Sequence, residues 1–541
     1  MMKLCRKLVA LVLALTVVFT LPLSVSALNK DEVQATFHKG FYNTAETLVE
    51  GLLGAIAALV PTPHSWKAPA EDALTKHMRG TEQWLQTPAE HAVFSLGFNE
   101  SSLLDTLPVD IHSLYVGGSI DFDEKKATAL LDDLRVRTAA LSDGSGRGTG
   151  VLLELDAYGL SLPDVRVIRA RLADFCKDAN IHSVTVAVLH QHSAADTFGM
   201  NGDIFRMALL NPLLTALSLP TPNGKHDVYM EHLYATCVAS IRAAVKDMKP
   251  GKLYYGTADQ TPFLVDKRAP YVSDPHFNRF RFVPADGSRE TWLVSTEIHC
   301  VGNGAGGTVL TSDYPFYAER TIRRQADANV LFYMGAQQST SGNYDEGLIP
   351  ALRDTPERTD AIPVFGNAIG QAICAIQDET EVAPLFNVRF ASILLPISNP
   401  VLLLAGKAGM IGAEVVKLDG GYGIVTEIGY AELGNEFAFA IIPGELAPEL
   451  AYGGCLQGSE AWSGKDWTYP CLQEMVAAAG SSRKLFALDL ANDQIGYIVP
   501  DNNYMPMIAP ESNSIEFVSL GKQTASLLME GYQALIACGV S

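Results

Sequence analysis

The stretch SVTVAVLHQHSAADT, residues 183–197, indicates both the fold class and a first candidate site. Residues 183–189 are a short run of apolar and β-branched side chains, which is typical of a strand buried on both faces. The run ends abruptly in His190 and His192. Because alternate residues of an extended chain point to the same side, both imidazoles are expected on one side of this strand end.

Further apolar runs along the chain have the same buried-strand character. They are residues 150–155, 291–298, 329–334, 387–395 and 436–442. Helical periodicity predicts helices between several of them. The predicted helices are residues 124–141, 164–179, 229–248 and 314–328. This alternation predicts an α/β fold, in which one large layered domain with a mixed sheet and flanking helices carries a metal site at its strand ends.

The composition is that of a large globular protein and excludes several classes of function. Of the 541 residues, 48% are hydrophobic and 18% are charged, so the chain is neither disordered nor polytopic in a membrane. The formal net charge is −20, and no run of basic residues is longer than two. The sequence therefore argues against a nucleic-acid partner.

The N-terminus carries the pattern of an export signal. Basic residues within 1–7 precede an apolar run over 8–20, and the small residues at 25–27 suit a cleavage site. We therefore predict a signal peptide over 1–27 and a secreted or cell-surface protein. An uncleaved membrane anchor is the alternative, although the run is shorter than a spanning helix. Residues 28–91 are predicted to form an N-terminal helical segment ahead of the main domain.

Two cysteines flank a stretch that looks like an excursion between ordered segments. Cys455 and Cys471 enclose LQGSEAWSGKDWTYP. A disulfide between them would stabilise an exported protein by about 3 kcal/mol on the chain-entropy model. The alternative is a pair of buried, reduced thiols.

Two other strand ends carry residues of catalytic type. His299 closes the run 291–298, and a glycine-rich loop follows it, without the strand–GxGxxG–helix arrangement of a nucleotide site. The run 329–334 is followed by a cluster that contains Ser339 and Ser341. These hydroxyls suit a nucleophile or an oxyanion donor, and equally a turn that caps the strand.

Several common hydrolase motifs are absent from the sequence. It contains neither the G-x-S-x-G elbow of α/β hydrolases nor the H-E-x-x-H and C-x-x-C patterns. A serine hydrolase of the elbow type, a zincin and a zinc ribbon are therefore disfavoured.

Taken in chain order, these segments resemble the neutral/alkaline non-lysosomal ceramidases, zinc-dependent amidases that split the N-acyl bond of ceramide. VTVAVLHQHSAADT is similar to the family's strand ending in T-H-T-H-S-x-P. The resemblance implies that His190 is a zinc ligand and that His192 contacts the substrate oxygen. WLVSTEIHCVG followed by LTSDYPFYAERTI resembles the family's A-x-H-P segment and its S-x-D-Y-P-G helix start. This implies that His299 is the second zinc histidine.

Two later segments complete the implied ligand set. FAFAIIPGELAPEL resembles the family's apolar strand ending in P-G-E, which implies Glu445 as the carboxylate ligand. LANDQIGYIVPDNNY resembles the stretch that carries the family's tyrosine ligand and implies Tyr497. The residues after Tyr497 are too few for the β-sandwich C-terminal domain of typical members, so we expect residues 92–541 to be a ceramidase-like catalytic domain standing alone.

The family's serine nucleophile lies in a G-[DN]-x-S-P motif a few residues past an apolar strand. GAQQSTSGN places Ser341 there, with Ser339 as the alternative. SLGFNESSLLDTLPVDIHSLYVGGSID resembles the family's opening segment, so the glycine that contacts substrate falls on Gly117 or Gly118. DKRAPYVSDPHFNRFRFV resembles the N-R-S-P loop and implies Arg268 as its arginine.

The implied constellation is chemically coherent. Two imidazoles, a carboxylate and a phenolate oxygen give Zn2+ four ligands, with room for a water whose pKa the metal lowers. That hydroxide, or a serine beside it, attacks the amide carbonyl, and His192 and Arg268 could stabilise the oxyanion.

The sequence thus predicts a secreted, zinc-dependent amidase that acts on ceramide or a related N-acyl lipid. The alternatives are a hydrolase of another amide or ester and a catalytically silent relative that binds lipid or glycan at the cell surface. The altered serine motif, in which Gln338 and Ser339 replace Gly-Asp and Gly342 replaces Pro, motivates the last alternative. A lipid substrate leaves a peripheral contact with a membrane open, and the sequence does not indicate an oligomeric state.

Overall fold

The computed structural model describes most of the chain. The described residues are 30–63, 65–68, 80–118, 125–217, 219–304, 307–355, 357–512 and 514–537. The predicted signal peptide over 1–27 lies outside them. Residues 50–541 form one compact unit, and residues 30–49, which belong to a separate unit, are helical. The domain boundaries that the sequence suggests near residues 27 and 91 stay predictions.

Strands and helices alternate along most of the described chain. The strands are β1 Phe94–Ser102, β2 Ala129–Leu130, β3 Arg135–Ser142, β4 Thr149–Leu155, β5 Ile181–Val188, β6 Lys249–Asp259, β7 Leu264–Asp266, β8 His276–Pro284, β9 Thr291–Thr296, β10 Val309–Leu310, β11 Asn329–Met334, β12 Thr340–Gly342, β13 Glu379–Val382, β14 Phe386–Pro396, β15 Val415–Leu418, β16 Gly421–Leu433, β17 Phe437–Ile441, β18 Glu445–Leu446, β19 Lys484–Leu488 and β20 Tyr497–Ile498. The α-helices are α1 Lys30–Leu59, α2 Leu162–Arg171, α3 Ala173–Asp178, α4 Ile204–Ala216, α5 Asp227–Asp247, α6 Tyr314–Ala326, α7 Arg358–Cys374, α8 Pro400–Lys407, α9 Pro448–Tyr452, α10 Leu472–Ala478 and α11 Thr524–Ala537. Within the described ranges, none of these helices is both long and apolar enough to cross a bilayer.

The first sheet has nine strands among the described residues. Their order is β11-β9-β8-β6-β1-β3-β4-β5, with β13 paired to β6. The β4–β5 and β9–β11 pairs are parallel, and the other pairs are antiparallel. Along this ladder β5 and β9 run in opposite senses, yet the edge strand β11 contacts β5. The sheet therefore curls far enough to bring its two edge strands together.

The second sheet carries the strand that leads into Glu445. Its order is β14-β16-β17-β19, with β15 paired to β16, and β17 and β19 are parallel. Just past β17, the short strands β18 and β20 pair in parallel and place Glu445 opposite Tyr497. Glu445 and Tyr497, which are 52 positions apart in the sequence, thereby become neighbours.

The two sheets pack face to face, and helices cover their outer faces. Aromatic and aliphatic side chains fill the space between the sheets. They include Phe280, Phe282, Phe437, Phe486, Ala187 and Leu488. Helices α2, α5, α6 and α7 pack on the first sheet, and α10 and α11 pack on the second. The predicted α/β fold with a large mixed sheet and flanking helices is confirmed.

Most of the predicted elements are present. Each predicted strand matches an observed strand, namely β4, β5, β9, β11, β14 and β17. The predicted helix over 164–179 is divided into α2 and α3, and the helices over 229–248 and 314–328 match α5 and α6.

The helix predicted over residues 124–141 is wrong. The described part of this range contains β2 and most of β3. The arginines that contributed to the pattern of a solvent-exposed helix face are paired inside the protein instead. Arg137 is fully buried, 3.1 Å from a carboxylate oxygen of Glu154 and 3.0 Å from one of Asp156. The pattern of charge therefore indicated an ion-pair cluster rather than a helix surface.

The predicted disulfide is not formed. Cys455 and Cys471 are both free thiols, so the alternative of reduced cysteines describes the structure. Each sulfur has a local backbone partner. The Cys455 thiol donates to the carbonyl oxygen of Glu449 at 3.6 Å, and the Cys471 side chain caps the start of α10.

Asp493 predicts a pH dependence of stability. This buried carboxylate accepts hydrogen bonds from the Leu162 amide at 2.9 Å and from the Thr426 hydroxyl at 2.8 Å. Burial nevertheless raises its pKa from 3.8 to about 7. The folded protein therefore retains this proton to higher pH than the unfolded chain does. The contribution to stability is complete below about pH 4 and is lost as the pH rises through about 7, by up to about 1.4 kcal/mol per pH unit.

We expect Asp493→Asn to reduce the loss of unfolding free energy that accompanies the rise in pH. The measurement is the free energy of unfolding in urea between pH 4 and pH 8. The exposed Asp419→Asn variant serves as the control and should keep the wild-type slope. Identical slopes for wild type and Asp493→Asn would contradict the assignment.

Candidate metal centre

Two histidines are oriented by backbone carbonyl groups. The Nδ1 atom of His190 lies 2.6 Å from the carbonyl oxygen of Tyr158, and that of His299 lies 2.8 Å from the carbonyl oxygen of Thr340. Because a carbonyl oxygen can only accept, both Nδ1 atoms carry the hydrogen. In the neutral rings, each Nε2 atom then presents a lone pair. This is the usual support for a metal-binding histidine.

Glu445 meets both of these nitrogens. Its Oε2 atom lies 2.9 Å from His299 Nε2 and 3.3 Å from His190 Nε2. His190 Nε2 is buried and has no hydrogen-bond partner among the described residues. Burial acts to raise the pKa of Glu445, but the imidazoles of His190 and His299 outweigh it and hold the pKa below its ordinary value. The three atoms therefore converge on one buried point, where positive charge, either a proton on an imidazole or a metal ion, stabilises the Glu445 carboxylate.

His192 adds a third imidazole to the cluster. The candidate ligand atoms of His190, His192 and His299 all lie within 4.8 Å of one another. Burial, followed by the proximity of the other two imidazoles, lowers the pKa of His192 well below its ordinary value. His192 is therefore neutral, with a lone pair available to a metal or a hydrogen bond available to a substrate.

Local backbone geometry turns His190 into the centre. Strand β5 ends at Val188, whose amide donates to the carbonyl oxygen of Leu490 at 3.2 Å. His190 then adopts a left-handed backbone conformation with φ of 60°, which is uncommon for a residue with a side chain. The Tyr158 ring stacks on the His190 ring at a centroid distance of 4.5 Å. Strain of this kind is found at functional sites, where the surrounding structure enforces it.

The donor set fits a divalent transition metal. Imidazole nitrogens and a carboxylate oxygen are ligands typical of zinc. The unpartnered His190 Nε2 and the convergence on Glu445 Oε2 are the observations that support the fit. His190, His299 and Glu445 would hold the ion, and His192 is close enough to be a further ligand.

Tyr497, the predicted fourth ligand, lies beside Glu445. The two residues are paired in the β18–β20 ladder. Burial, and then the negative charge of Glu445, raise the pKa of Tyr497 well above its ordinary value. The phenol is therefore neutral without a cation beside it. The structure brings Tyr497 to the centre, and its role as a ligand stays a prediction.

The two candidate serines are both buried beside the cluster. Ser341 forms a parallel backbone bridge with His299 and follows Thr340, whose carbonyl oxygen accepts from that histidine. The carbonyl oxygen of Ser339 instead accepts from the Lys267 amide at 3.0 Å. The backbone geometry therefore connects Ser341 more directly to the centre.

Both candidate glycines lie at the site. The Gly117 amide donates to the carbonyl oxygen of Ala194 at 2.7 Å. Gly118 has φ of 90°, and a Cβ atom built on it would lie only 2.3 Å from the Cα atom of His192. The backbone of Gly118 thus packs directly on the residue predicted to contact substrate.

Arg268 has other partners than the predicted role requires. Its guanidinium is buried and forms a two-pronged ion pair with Glu516, with N–O distances of 2.6 and 3.2 Å. It also donates to the carbonyl oxygen of Asn503 at 2.9 Å. These bonds make Arg268 an anchor for the 501–516 segment and leave its predicted oxyanion contact without support in the structure.

Two further residues belong to the site, and no motif in the sequence predicted them. Tyr158 stacks on His190, and Gln494 donates from Nε2 to Glu445 Oε1 at 3.2 Å. The position of Tyr158, just past a predicted strand, was an available signal. Gln494 had none, because its contact depends on the pairing of β18 with β20.

Comparisons with known proteins place the fold. No family model matches the sequence, and no curated protein is similar to it in sequence. The structure is similar to neutral ceramidase from Pseudomonas aeruginosa, with a TM-score of 0.63 and 14% identity over 83% of this chain and 75% of that one. It is also similar to a ceramidase in complex with C2, with a TM-score of 0.60 and 15% identity over the same shares. The chain therefore has the ceramidase-like fold that the motifs predicted.

Gly118 yields a prediction about the centre. Gly118→Ala places a methyl group against the His192 backbone, in a conformation that disfavours any side chain. Gly146 also has a positive φ, of 81°, but a Cβ atom there would meet nothing within 4 Å. Gly146→Ala should therefore cost only the backbone strain of about 1–2 kcal/mol. Gly118→Ala should cost about 1–3 kcal/mol more, because it adds overpacking.

The free energy of unfolding of the two variants measures this difference. Equal destabilisation by the two substitutions would show that His192 and Gly118 are not packed as described.

Proposed function

We propose that the protein is an exported, zinc-dependent amidase that hydrolyses the N-acyl bond of ceramide or a related N-acyl lipid. The observation that carries this proposal is the convergence of His190 Nε2, His299 Nε2 and Glu445 Oε2 at one buried point of a ceramidase-like fold. Export is supported by the signal-like sequence over 1–27.

A zinc ion in this centre would act as a Lewis acid and would supply an acidified water. The chain's own residues provide the rest of the chemistry. The backbone carbonyls of Tyr158 and Thr340 keep both Nε2 lone pairs aimed at the centre. His192, neutral and adjacent, can hold a hydrogen bond to the oxygen of a substrate amide. Because the imidazoles are buried, bulk water is excluded from these contacts.

The position of Ser341 supports a role as the nucleophile. Its backbone bridge to His299 brings this residue next to a candidate metal ligand. Attack by its hydroxyl on an amide carbonyl would form an acyl-serine ester as the C–N bond breaks, and the hydroxyl proton would pass to the departing amine. Water would then cleave the ester, which releases the fatty acid and restores the serine. In a direct mechanism, a water or hydroxide would attack the same carbonyl without the serine ester.

An apolar pocket beside the centre supports a lipid substrate. One end is formed by Tyr158 and Gln494, which contact the histidine cluster and Glu445. The rest of the wall consists mainly of aliphatic and aromatic side chains. These include Phe198, Met200, Val401, Leu402, Ala405, Met410 and Phe517. An alkyl chain in this pocket would place its polar end at the centre, as hydrolysis of an N-acyl lipid requires.

The metal is the first testable part of the proposal. We expect the purified chain to bind one Zn2+ ion, and we expect His190→Ala and His299→Ala to lose both the metal and the hydrolysis of a fluorescent ceramide. Metal content by mass spectrometry and product release by chromatography are the measurements. His276→Ala is the matched control, because this half-exposed histidine lies on β8 outside the cluster.

Three results would count against the proposal. A wild-type protein without metal would refute it. Zinc binding with tight ligand binding but no turnover would favour the silent binding protein, and cleavage of other amides or esters alone would favour a different hydrolase.

Ser341→Ala and Ser339→Ala, assayed in parallel, separate the two serines, and we expect only Ser341→Ala to abolish turnover.

The pocket predicts selectivity for acyl-chain length. Ala405→Phe fills part of the apolar pocket and should shift the preference toward shorter acyl chains while metal content is unchanged. The ratio of kcat/KM for short-chain and long-chain ceramides measures this shift, which we expect to be about tenfold or more. Leu404→Phe, on the same helix but not part of the pocket wall, is the control. An unchanged ratio in Ala405→Phe would exclude this pocket as the acyl site.

A further inference from the structure

We propose that Gln494 is a positioning residue that holds the Glu445 carboxylate so that a single oxygen faces the metal, and that it also forms the polar end of the apolar pocket. This inference rests on the proposed function, because it assumes that the centre takes a metal. It concerns a residue for which the sequence motifs imply no role.

The orientation of the Gln494 amide follows from its partners. The backbone N–H of Gly496 lies 3.3 Å from Gln494 Oε1 and can only donate to it. The Nε2 group is therefore the end that faces Glu445, where it donates to Oε1 at 3.2 Å. The side chain of Gln494 is buried, with 4% of the residue exposed. Such a buried amide with both ends bonded has little freedom to rotate.

The two carboxylate oxygens of Glu445 thereby have different partners. Oε1 accepts from Gln494, whereas Oε2 lies between the Nε2 atoms of His190 and His299. A hydrogen bond to one oxygen disfavours rotation of the carboxylate toward two-oxygen binding. It also satisfies a lone pair that would otherwise be buried without a partner. Gln494 thus selects which carboxylate oxygen is presented to the ion.

The backbone fixes Gln494 relative to Glu445. The Glu445 amide donates to the carbonyl oxygen of Gly496 at 3.1 Å, next to the β18–β20 pairing. Gln494 is therefore only two residues before Gly496, whose carbonyl oxygen accepts a hydrogen bond from the Glu445 amide. Any shift of the 492–497 segment would move both the donor and the carboxylate.

The same side chain reaches the pocket. Gln494 and Tyr158 both form part of the pocket wall. A Cβ atom built on Gly159 would lie 3.1 Å from Gln494 Cγ, so the glycine leaves room for this packing. Gln494 is thus placed between the metal centre and the site proposed for the alkyl chain. It is the polar group that an incoming acyl chain would meet next to the carboxylate.

A neutral amide suits this position better than other side chains of its size. Glutamate would place a second negative charge beside Glu445, and methionine would fill the space without donating a hydrogen bond. Gln494→Met therefore removes the donor with little change of volume. Gln494→Asn keeps the amide but shortens its reach.

The test compares metal binding in the full-length variants. We expect Gln494→Met and Gln494→Asn to bind Zn2+ about 10–100-fold more weakly than wild type, as is usual when a group that supports a metal ligand is lost. Isothermal titration calorimetry of the metal-free protein gives the affinity. The visible absorption of the Co2+-loaded protein reports the coordination geometry, and we expect its bands to shift in both variants.

Gln473→Met is the matched control. Gln473 also holds two backbone groups, because it donates to the Arg483 carbonyl at 3.0 Å and accepts from the Leu485 amide at 2.8 Å. Its loss should reduce stability without changing the Zn2+ affinity or the Co2+ spectrum. Having two Gln494 variants keeps the test decisive if one of them does not fold.

The outcomes separate this inference from the proposed function. If wild type binds Zn2+ and a folded Gln494 variant binds it equally tightly with an unchanged Co2+ spectrum, the role of Gln494 is refuted and the amidase proposal stands. If wild type binds no metal, both are refuted. Weaker binding and a shifted spectrum in the Gln494 variants, with neither change in Gln473→Met, support the inference.

Discussion

The meeting of two imidazole nitrogens with one carboxylate oxygen is the interaction on which the rest of the site depends. All three atoms present lone pairs once the Nδ1 hydrogens are committed to backbone carbonyls. Without a proton or a metal ion between them, the contacts of Glu445 Oε2 with the Nε2 lone pairs of His190 and His299 would be repulsive. Each surrounding feature, from the stacked Tyr158 ring to the Gln494 amide, holds one of these three groups in place.

This convergence requires that the two sheets be held in one arrangement. The histidines follow strands of the first sheet, and the glutamate follows a strand of the second. Asp489 joins the segments that lead to the centre, because its Oδ2 atom accepts from the Leu446 amide at 2.8 Å and from the Gln337 amide at 3.3 Å. The aromatic packing between the sheets supplies apolar burial, and these polar ties set the relative position of the strand ends.

Features that depend on consecutive residues were predictable from the sequence, whereas features that depend on distant partners were not. Strands that are buried on both faces were predicted correctly because they consist of consecutive apolar residues. Strand β3 was missed because the partners of Arg137 lie in other elements, so its charge suggested a solvent-exposed face. The histidines were found from local motifs at strand ends. The engagement of Arg268 by Glu516, 248 residues away, could not be inferred from either segment alone.

The buried arginines of β3 also control the alignment of the strands that lead to the centre. Arg137 lies directly opposite Glu154 in the β3–β4 ladder, and Asp156 follows on the same face. A slip of one residue would turn Arg137 to the other face of the sheet and leave these carboxylates buried without their cation. Losing one partner of a buried ion pair costs about 3–5 kcal/mol, so the shifted register is strongly disfavoured. The ion-pair cluster therefore fixes the register of β3 against β4. Because Tyr158 comes just two residues after Asp156, this register also fixes the carbonyl group that orients His190.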